Sequence, residues 1–220
     1  MKKAKPNVAA SRIRSKGSDR SLRERLLNAA FAVFRKRGFS GARTLDIAKR
    51  ARVSKRDLYA LFGSKHAILA ACIAERAGRM RQPLASAAPV PETREAVAAT
   101  LRELGASILR GVCHPEVLAV YRLAIAESDR APEIARVLDG NGRQANHRAL
   151  GEWLAKVQAL GLIGPGEPAA MVERFIALLW GDLLVRLLLG VRDAPTAAEI
   201  EARARTAADA LLHLPAGAGE

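Results

Sequence analysis

TLDIAKRARVSKRDLYALFGSK, residues 44–65, is the stretch on which the fold turns. Two short helical patterns flank a tight turn at Arg52 and Val53. Thr44 is expected to cap the first helix by accepting a backbone N–H, with Asp46 set against its positive end. Leu45, Ile47, Ala48 and Ala51 give that helix small or apolar packing positions. Ser54 caps the second helix, and Asp57 three residues on supplies the partner of a capping box, an Asp in place of the usual Glu. At about 100° per residue, Leu58, Leu61 and Phe62 share one face. Arg56, Tyr59 and Ala60 share the other, with Lys55 beside them. The pattern predicts a helix-turn-helix whose second helix offers a basic face to the DNA major groove.

Composition agrees with a helical DNA reader. Half of the 220 residues are apolar and only 4% are aromatic, which suits a sizeable core built from helices. The net charge of +14 is unevenly spread. Residues 1–65 hold 19 Lys/Arg against 4 Asp/Glu, a net of +15, whereas residues 66–220 hold 17 against 18, a net of −1. A basic front on a neutral body is the electrostatic footprint of a polyanion binder. Cys72 and Cys113 have no CxxC or Cys/His metal spacing and read as free thiols in a reducing cytoplasm. The basic start is followed by polar residues rather than an apolar h-region. The most apolar run, Phe175 to Gly190, is broken by Asp182 and Arg186 and is too short to span a bilayer. A cytoplasmic protein is expected.

In chain order, residues 1–20 read as a basic flexible arm with seven Lys/Arg and one Asp. Its expected role is phosphate attraction or a minor-groove reach, beside the plain alternative of a solvated tail. Residues 21–65 form the DNA-binding domain. Ser21 and Glu24 spell a capping box that starts the first helix at Leu22. Leu22, Leu26, Ala29, Ala30, Val33 and Phe34 are its buried stripe, and Gly38 is expected to end it in a left-handed cap with Phe39 packing back. Residues 66–220 form a second helical domain, entered through a helix that ends near Met80. QPLASAAPVPE, residues 82–92, reads as a loop. Apolar helical blocks follow at residues 93–112, 115–128, 132–138, 144–160, 168–189 and 196–214. Pro near the start of three of these suits a first turn. Thr196 and Glu199 spell another capping box, and Gly140-Asn141-Gly142 is expected to interrupt a helix. No strand pattern or internal repeat is visible, so the fold class is all-α.

LLNAAFAVFRKRGFSGARTLDIAKRARVS (26–54) followed by KRDLYALFGSKHAIL (55–69) resembles the DNA-binding domain of the tetracycline-repressor (TetR) family of bacterial regulators. The shared features are Ala29-Ala30, Phe34, Gly38-Phe39, Thr44, Ile47-Ala48, Val53-Ser54, Leu58-Tyr59, Phe62 and Ser64-Lys65. YRLAIAESDRAPEIARVL (121–138) is similar to the AefR-like subgroup. The resemblance implies a phosphate contact for Thr44, base-edge positions for Lys55, Arg56 and Asp57, and a phosphate or thymine-methyl contact for Tyr59. It implies a further phosphate contact for Lys65. Arg56 suits bidentate pairing with guanine O6 and N7. Two residues depart from the family pattern. Arg52 stands at a turn position where glycine is usual, and a left-handed Arg would cost about 1 kcal/mol. Asp57 stands where a small hydroxyl residue is common.

The resemblance also implies a C-terminal helical bundle that binds an effector and dimerises through its last two helices. The many apolar faces between Met171 and Leu189 agree with such a surface. Asp182 and Arg186 are expected to pair with each other or across a twofold axis. A dimer would set two recognition helices roughly 34 Å apart on a palindromic operator. Candidate effector contacts are Tyr121, Trp153, Phe175, Trp180 and His147, with His114, Arg122 and Met171 behind them. The function expected is a homodimeric repressor released from its operator by a small apolar ligand. The alternative is a DNA-binding regulator without a small-molecule effector, switched by a protein partner. The chain has no GxSxG, P-loop, HExxH or dinucleotide fingerprint, which argues against an enzyme, and no cofactor or metal is expected.

Overall fold

A computed structural model describes the backbone of residues 8–87 and 91–213, and side chains from residue 22 onward within those limits. Among the described residues every regular element is a helix. The chain divides into two compact units, Met1–Cys72 and Ile73–Glu220.

The first unit contains α1 (Val8–Gly41), α2 (Thr44–Ala51), α3 (Lys55–Phe62) and the start of α4 (Lys65–Met80), which carries the chain into the second. Its helices enclose Leu26, Leu27, Ala30, Phe31, Phe34, Ile47, Ala48, Leu58, Ile68 and Leu69, all essentially free of solvent. The capping box would start α1 at Leu22, yet its backbone is helical from Val8. Of the twenty residues expected as an arm, 1–7 lie outside the described residues and 8–20 are helical. Gly38 takes φ 69° and ψ 175°, a non-helical conformation nearly reserved for glycine, and breaks α1 there as expected, with ψ extended rather than left-handed. Phe39 then folds back on Phe34 with ring centroids 5.6 Å apart.

Three expectations in the motif need correction. Arg43, not Thr44, is the N-cap of α2, and no side chain caps there. Leu45 is 47% exposed, because two residues before Ile47 is the opposite side of a helix. Leu61 is 43% exposed: α3 buries one narrow strip under Leu58, and Leu61 falls at its edge. Phe62 is half-buried beneath the Arg23 guanidinium, 5.2 Å from its ring centroid.

The second unit contains α5 (Gln82–Ser86), α6 (Arg94–Val112), α7 (Pro115–Ala126), α8 (Pro132–Leu138), α9 (Ala145–Ala159), α10 (Pro168–Trp180), α11 (Leu183–Leu189) and α12 (Ala197–Leu212). Central α6 buries nine residues and lies against Ala-rich α12. Their approach is so close that a Cβ on Gly105 would stand 3.2 Å from Ala204 Cβ and from Leu179 Cδ1. Thr93 and Thr196 cap α6 and α12 by accepting from Ala96 N and Glu199 N, each at 3.2 Å.

Here too the sequence misplaced some breaks. Residues 82–86, expected as loop, form α5. Gly140-Asn141-Gly142 does not interrupt the chain's helix but widens it into a π-helical segment, Asp139–Gln144, joining α8 to α9. The block over 168–189 is split at Gly181, whose φ of 49° and ψ of −122° end α10. Arg203 donates to Trp180 O (3.3 Å) and Arg122 to Leu187 O (2.6 Å) and Leu188 O (3.0 Å), so cations satisfy the carbonyl ends of both pieces. Among the described residues no single helix is long and apolar enough to cross a membrane.

Candidate nucleic-acid interface

The α2–α3 turn is built by backbone hydrogen bonds that glycine normally makes easier. Arg52 takes the left-handed conformation (φ 57°, ψ 49°), alone among the described non-glycine residues. Val53 N donates to Ala48 O (3.0 Å) and Arg52 N to Lys49 O (3.2 Å), the paired bonds of a Schellman ending. Two residues later Ser54 opens α3. Its hydroxyl accepts from Asp57 N at 3.0 Å and donates to an Asp57 carboxylate oxygen at 2.7 Å. Asp57 is thereby held as a cap partner, a geometry that draws its carboxylate back toward the helix start.

Lys55, Arg56 and Tyr59 project from α3 as exposed side chains. Lys55 Nζ lies 5.6 Å from the Tyr59 ring centroid, and the Tyr59 hydroxyl stands 3.2 Å from Thr44 Oγ1. This last contact ties the recognition helix to the start of α2 and leaves both hydroxyls at the surface. Arg56 has no ion-pair partner among the described residues, so its five donors are available to an external acceptor. Asp46 pairs with Arg37, fixing the first turn of α2 against α1.

Lys65 is placed differently from the other cations. Its ammonium donates to Phe39 O (2.8 Å) and Ala42 O (3.3 Å) and lies 4.4 Å from the Phe39 ring centroid. Two of its three donors therefore close the end of α1 over the start of α4. Sequence reading found the exposed residues through helical periodicity. It found no sign of this latch, whose partners lie 26 and 23 positions away.

In the second unit a cleft of about 350 Å³ opens between α7, α8 and the π-helical segment. Ala124, Ile125, Ala135 and Leu138 give it apolar walls; Tyr121 and Ser128 bring hydroxyls, and Asp139 and Arg143 form its polar edge. Asp139 accepts from Arg143 Nε and Gln144 Nε2, each at 2.5 Å, and the Arg143 hydrogen bond holds its carboxyl below the usual range. Burial pushes the Tyr121 phenol up and the His147 imidazole down, the latter helped by Arg143 one turn away. Of the candidate effector contacts only Tyr121 lines this cleft. Trp153 and Phe175 sit in the core, Trp180 packs partly buried against it, and His147 is half-buried on α9. The Trp153 indole N–H is buried with no acceptor among the described residues. His114 caps α7, its Nδ1 accepting from Glu116 N at 3.3 Å.

Known proteins match both units. Residues 26–72 match the family model for bacterial regulatory proteins of the tetR family. Residues 99–214, more than half of the chain, match the model for the C-terminal domain of AefR-like transcriptional repressors. The fold recurs in solved structures. A TetR-family transcriptional regulator from Mesorhizobium loti MAFF303099 is 21% identical with a TM-score of 0.69, over 87% of this chain and 95% of that one. The flavonoid-responsive regulator FrrA is 29% identical with a TM-score of 0.65, over 87% and 95%. A TetR transcriptional regulator from Agrobacterium tumefaciens is 26% identical with a TM-score of 0.69, over 86% and 92%. No curated protein matches. A helix-turn-helix unit joined to a helical unit of the AefR-like C-terminal kind defines a DNA-binding transcriptional regulator. The chain belongs to the TetR family, in its AefR-like subgroup.

Proposed function

We propose that the chain is a homodimeric repressor that reads a palindromic operator and leaves it when a small, largely apolar molecule occupies the second unit. The observation that carries the operator reading is Arg56, without an ion-pair partner among the described residues, on a helix whose start is locked by Ser54 and Asp57. In this reading Arg56 and Lys55 address base edges, Thr44 and Tyr59 address the backbone, and Asp57 stays with its cap. The single donor left on Lys65 gives it a lesser phosphate role. Such a reader works in the cytoplasm, where the DNA is.

Dimerisation is supported by apolar side chains left in water along α10 and α11. Val185 is 59% exposed and Leu189 70%, one turn apart on α11, and Leu178 on α10 and Val191 after α11 are exposed as well. Such a seam is larger than a lone surface residue and suits a second copy of the chain. Asp182, at the N-cap of α11, and Arg186 pair at 3.5 Å across its first turn and add no net charge to the seam.

The effector reading is supported by the cleft under Tyr121, whose size falls in the range of small-molecule sites. A π-helical segment on its wall is a feature often found where ligands bind. The flavonoid response of FrrA makes a flat, hydroxylated aromatic molecule the first class to try. Release requires that the molecule bind the DNA-incompetent state more tightly than the DNA-bound one; equal affinity would shift nothing. The test is to select bound duplexes from a random pool and then screen flavonoids and other apolar aromatics for release of the selected duplex. An effector should raise the melting temperature of the wild-type chain and not of a Tyr121→Ala variant.

A further inference from the structure

A second basic feature of the first unit lies outside the recognition helix. Arg25 and Asn28 on α1, Arg50 at the end of α2 and Arg52 in the turn line one surface groove of about 560 Å³, floored by Ala29 and Ala51. Its lining carries three guanidinium groups and no carboxylate. None of the three arginines has an ion-pair partner among the described residues. All three are exposed, so their donors face whatever enters.

The backbone makes the arrangement more than a patch of surface charge. Arg52 sits at φ 57°, a region strained for any residue with a Cβ, where glycine would sit without strain. This left-handed arginine adds a third guanidinium to the groove from the turn, after those of α1 and α2. Strain of this kind points toward a function rather than following from one. Guanidinium groups present their donors as planar forks that match phosphate oxygens, and the Asn28 amide adds a neutral donor. The groove is far larger than one phosphate group, which suits a length of polyanion better than an isolated ion.

We propose that this groove is a phosphate-binding site for the operator's sugar-phosphate backbone, separate from the base-reading face of α3, with Arg52 as its central ligand. The proposal rests on the operator-binding reading. Its consequence is mechanical. Arg52 is two residues from Ser54, and the Schellman bonds and the Ser54–Asp57 cap make the intervening turn rigid. A phosphate held in the groove therefore fixes the register of Lys55 and Arg56 on the bases, the role phosphate contacts play in DNA recognition.

The test titrates wild-type, Arg52→Gly, Arg25→Ala, Arg50→Ala and Lys156→Ala chains against the duplex that wild type selects from a random pool, across a range of salt. Lys156→Ala removes one charge from the second unit as a control. Each groove variant should weaken binding about equally on matched and mismatched duplexes and lower the slope of log K against log salt by about one. Arg52→Gly should do so while melting at or above the wild-type temperature, since glycine relieves the strained turn; a variant that merely failed to fold would melt lower. Lys156→Ala should keep the wild-type slope. Wild-type slopes in all three groove variants would overturn the proposal. Protection of the wild type by pyrophosphate, lost in those variants while their slopes stay unchanged, would overturn the DNA role in favour of a free polyphosphate. A wild-type chain that selects no duplex would overturn the operator reading, and the groove's part in it, before any variant is compared.

Discussion

Lys65 and Arg56 are both cations of the same motif, and their surroundings separate their roles. Among the described residues Arg56 keeps every donor, whereas Lys65 gives two to the carbonyls that end α1. Replacing Lys65 by Met would leave those carbonyls without their charged donor. We expect a loss of about 1.5–3 kcal/mol, the range for hydrogen bonds to charged groups, with the salt slope of DNA binding lowered by much less than one. A slope reduced by one with no loss of stability would instead make Lys65 a phosphate ligand. His147 gives a prediction in pH. Burial lowers its folded pKa below the unfolded 6.5, so the unfolded chain takes up the proton first. Stability is therefore full above pH 6.5 and falls as pH drops below that value toward the folded pKa. Urea midpoints measured on either side should show this decline in wild type and a weaker one in His147→Gln. At this scale the exposed face of α3 was legible because a 3.6-residue period is a local property. The Lys65 latch and the groove under Arg52 were not, since residues from α1 complete both.

Elements were more legible than their ends. Helices were correctly expected over most of the second unit because Pro and Thr mark starts locally, as the Thr93 and Thr196 caps illustrate. The kink at Gly181 and the π-helical continuation through Gly140 and Gly142 depend on what packs around them and on which carbonyl each N–H reaches. A glycine pair announces weak helix propensity, and neighbouring helices decide whether the chain breaks there. Gly105 carries the strongest element-level consequence. Its missing Cβ lets α6 meet Ala204 of α12, so Gly105→Leu should force the two helices apart and cost about 1–3 kcal/mol or more in urea unfolding. A variant as stable as wild type would mean that this contact is looser than the 3.2 Å separation implies.

Across the whole chain, charge and apolar exposure divide the labour. The net +15 of residues 1–65 suits DNA, and the seam at Val185 and Leu189 on a near-neutral second unit suits self-association. Wild type should sediment as a dimer, and the double variant Val185→Glu, Leu189→Glu as a folded monomer, because four carboxylates would face one another across a twofold seam. A monomeric wild type, or a dimeric variant, would remove α11 from the interface. The central claim is that a rigidly capped α3 reads sequence rather than charge. Selection of bound duplexes from a random pool, repeated at two salt concentrations, tests it most directly. The expected result is a palindromic motif with half-sites about one or more helical turns apart, retained at the higher salt. Binding without a motif, lost steeply as salt rises, would contradict it and leave the basic front as a nonspecific polyanion binder.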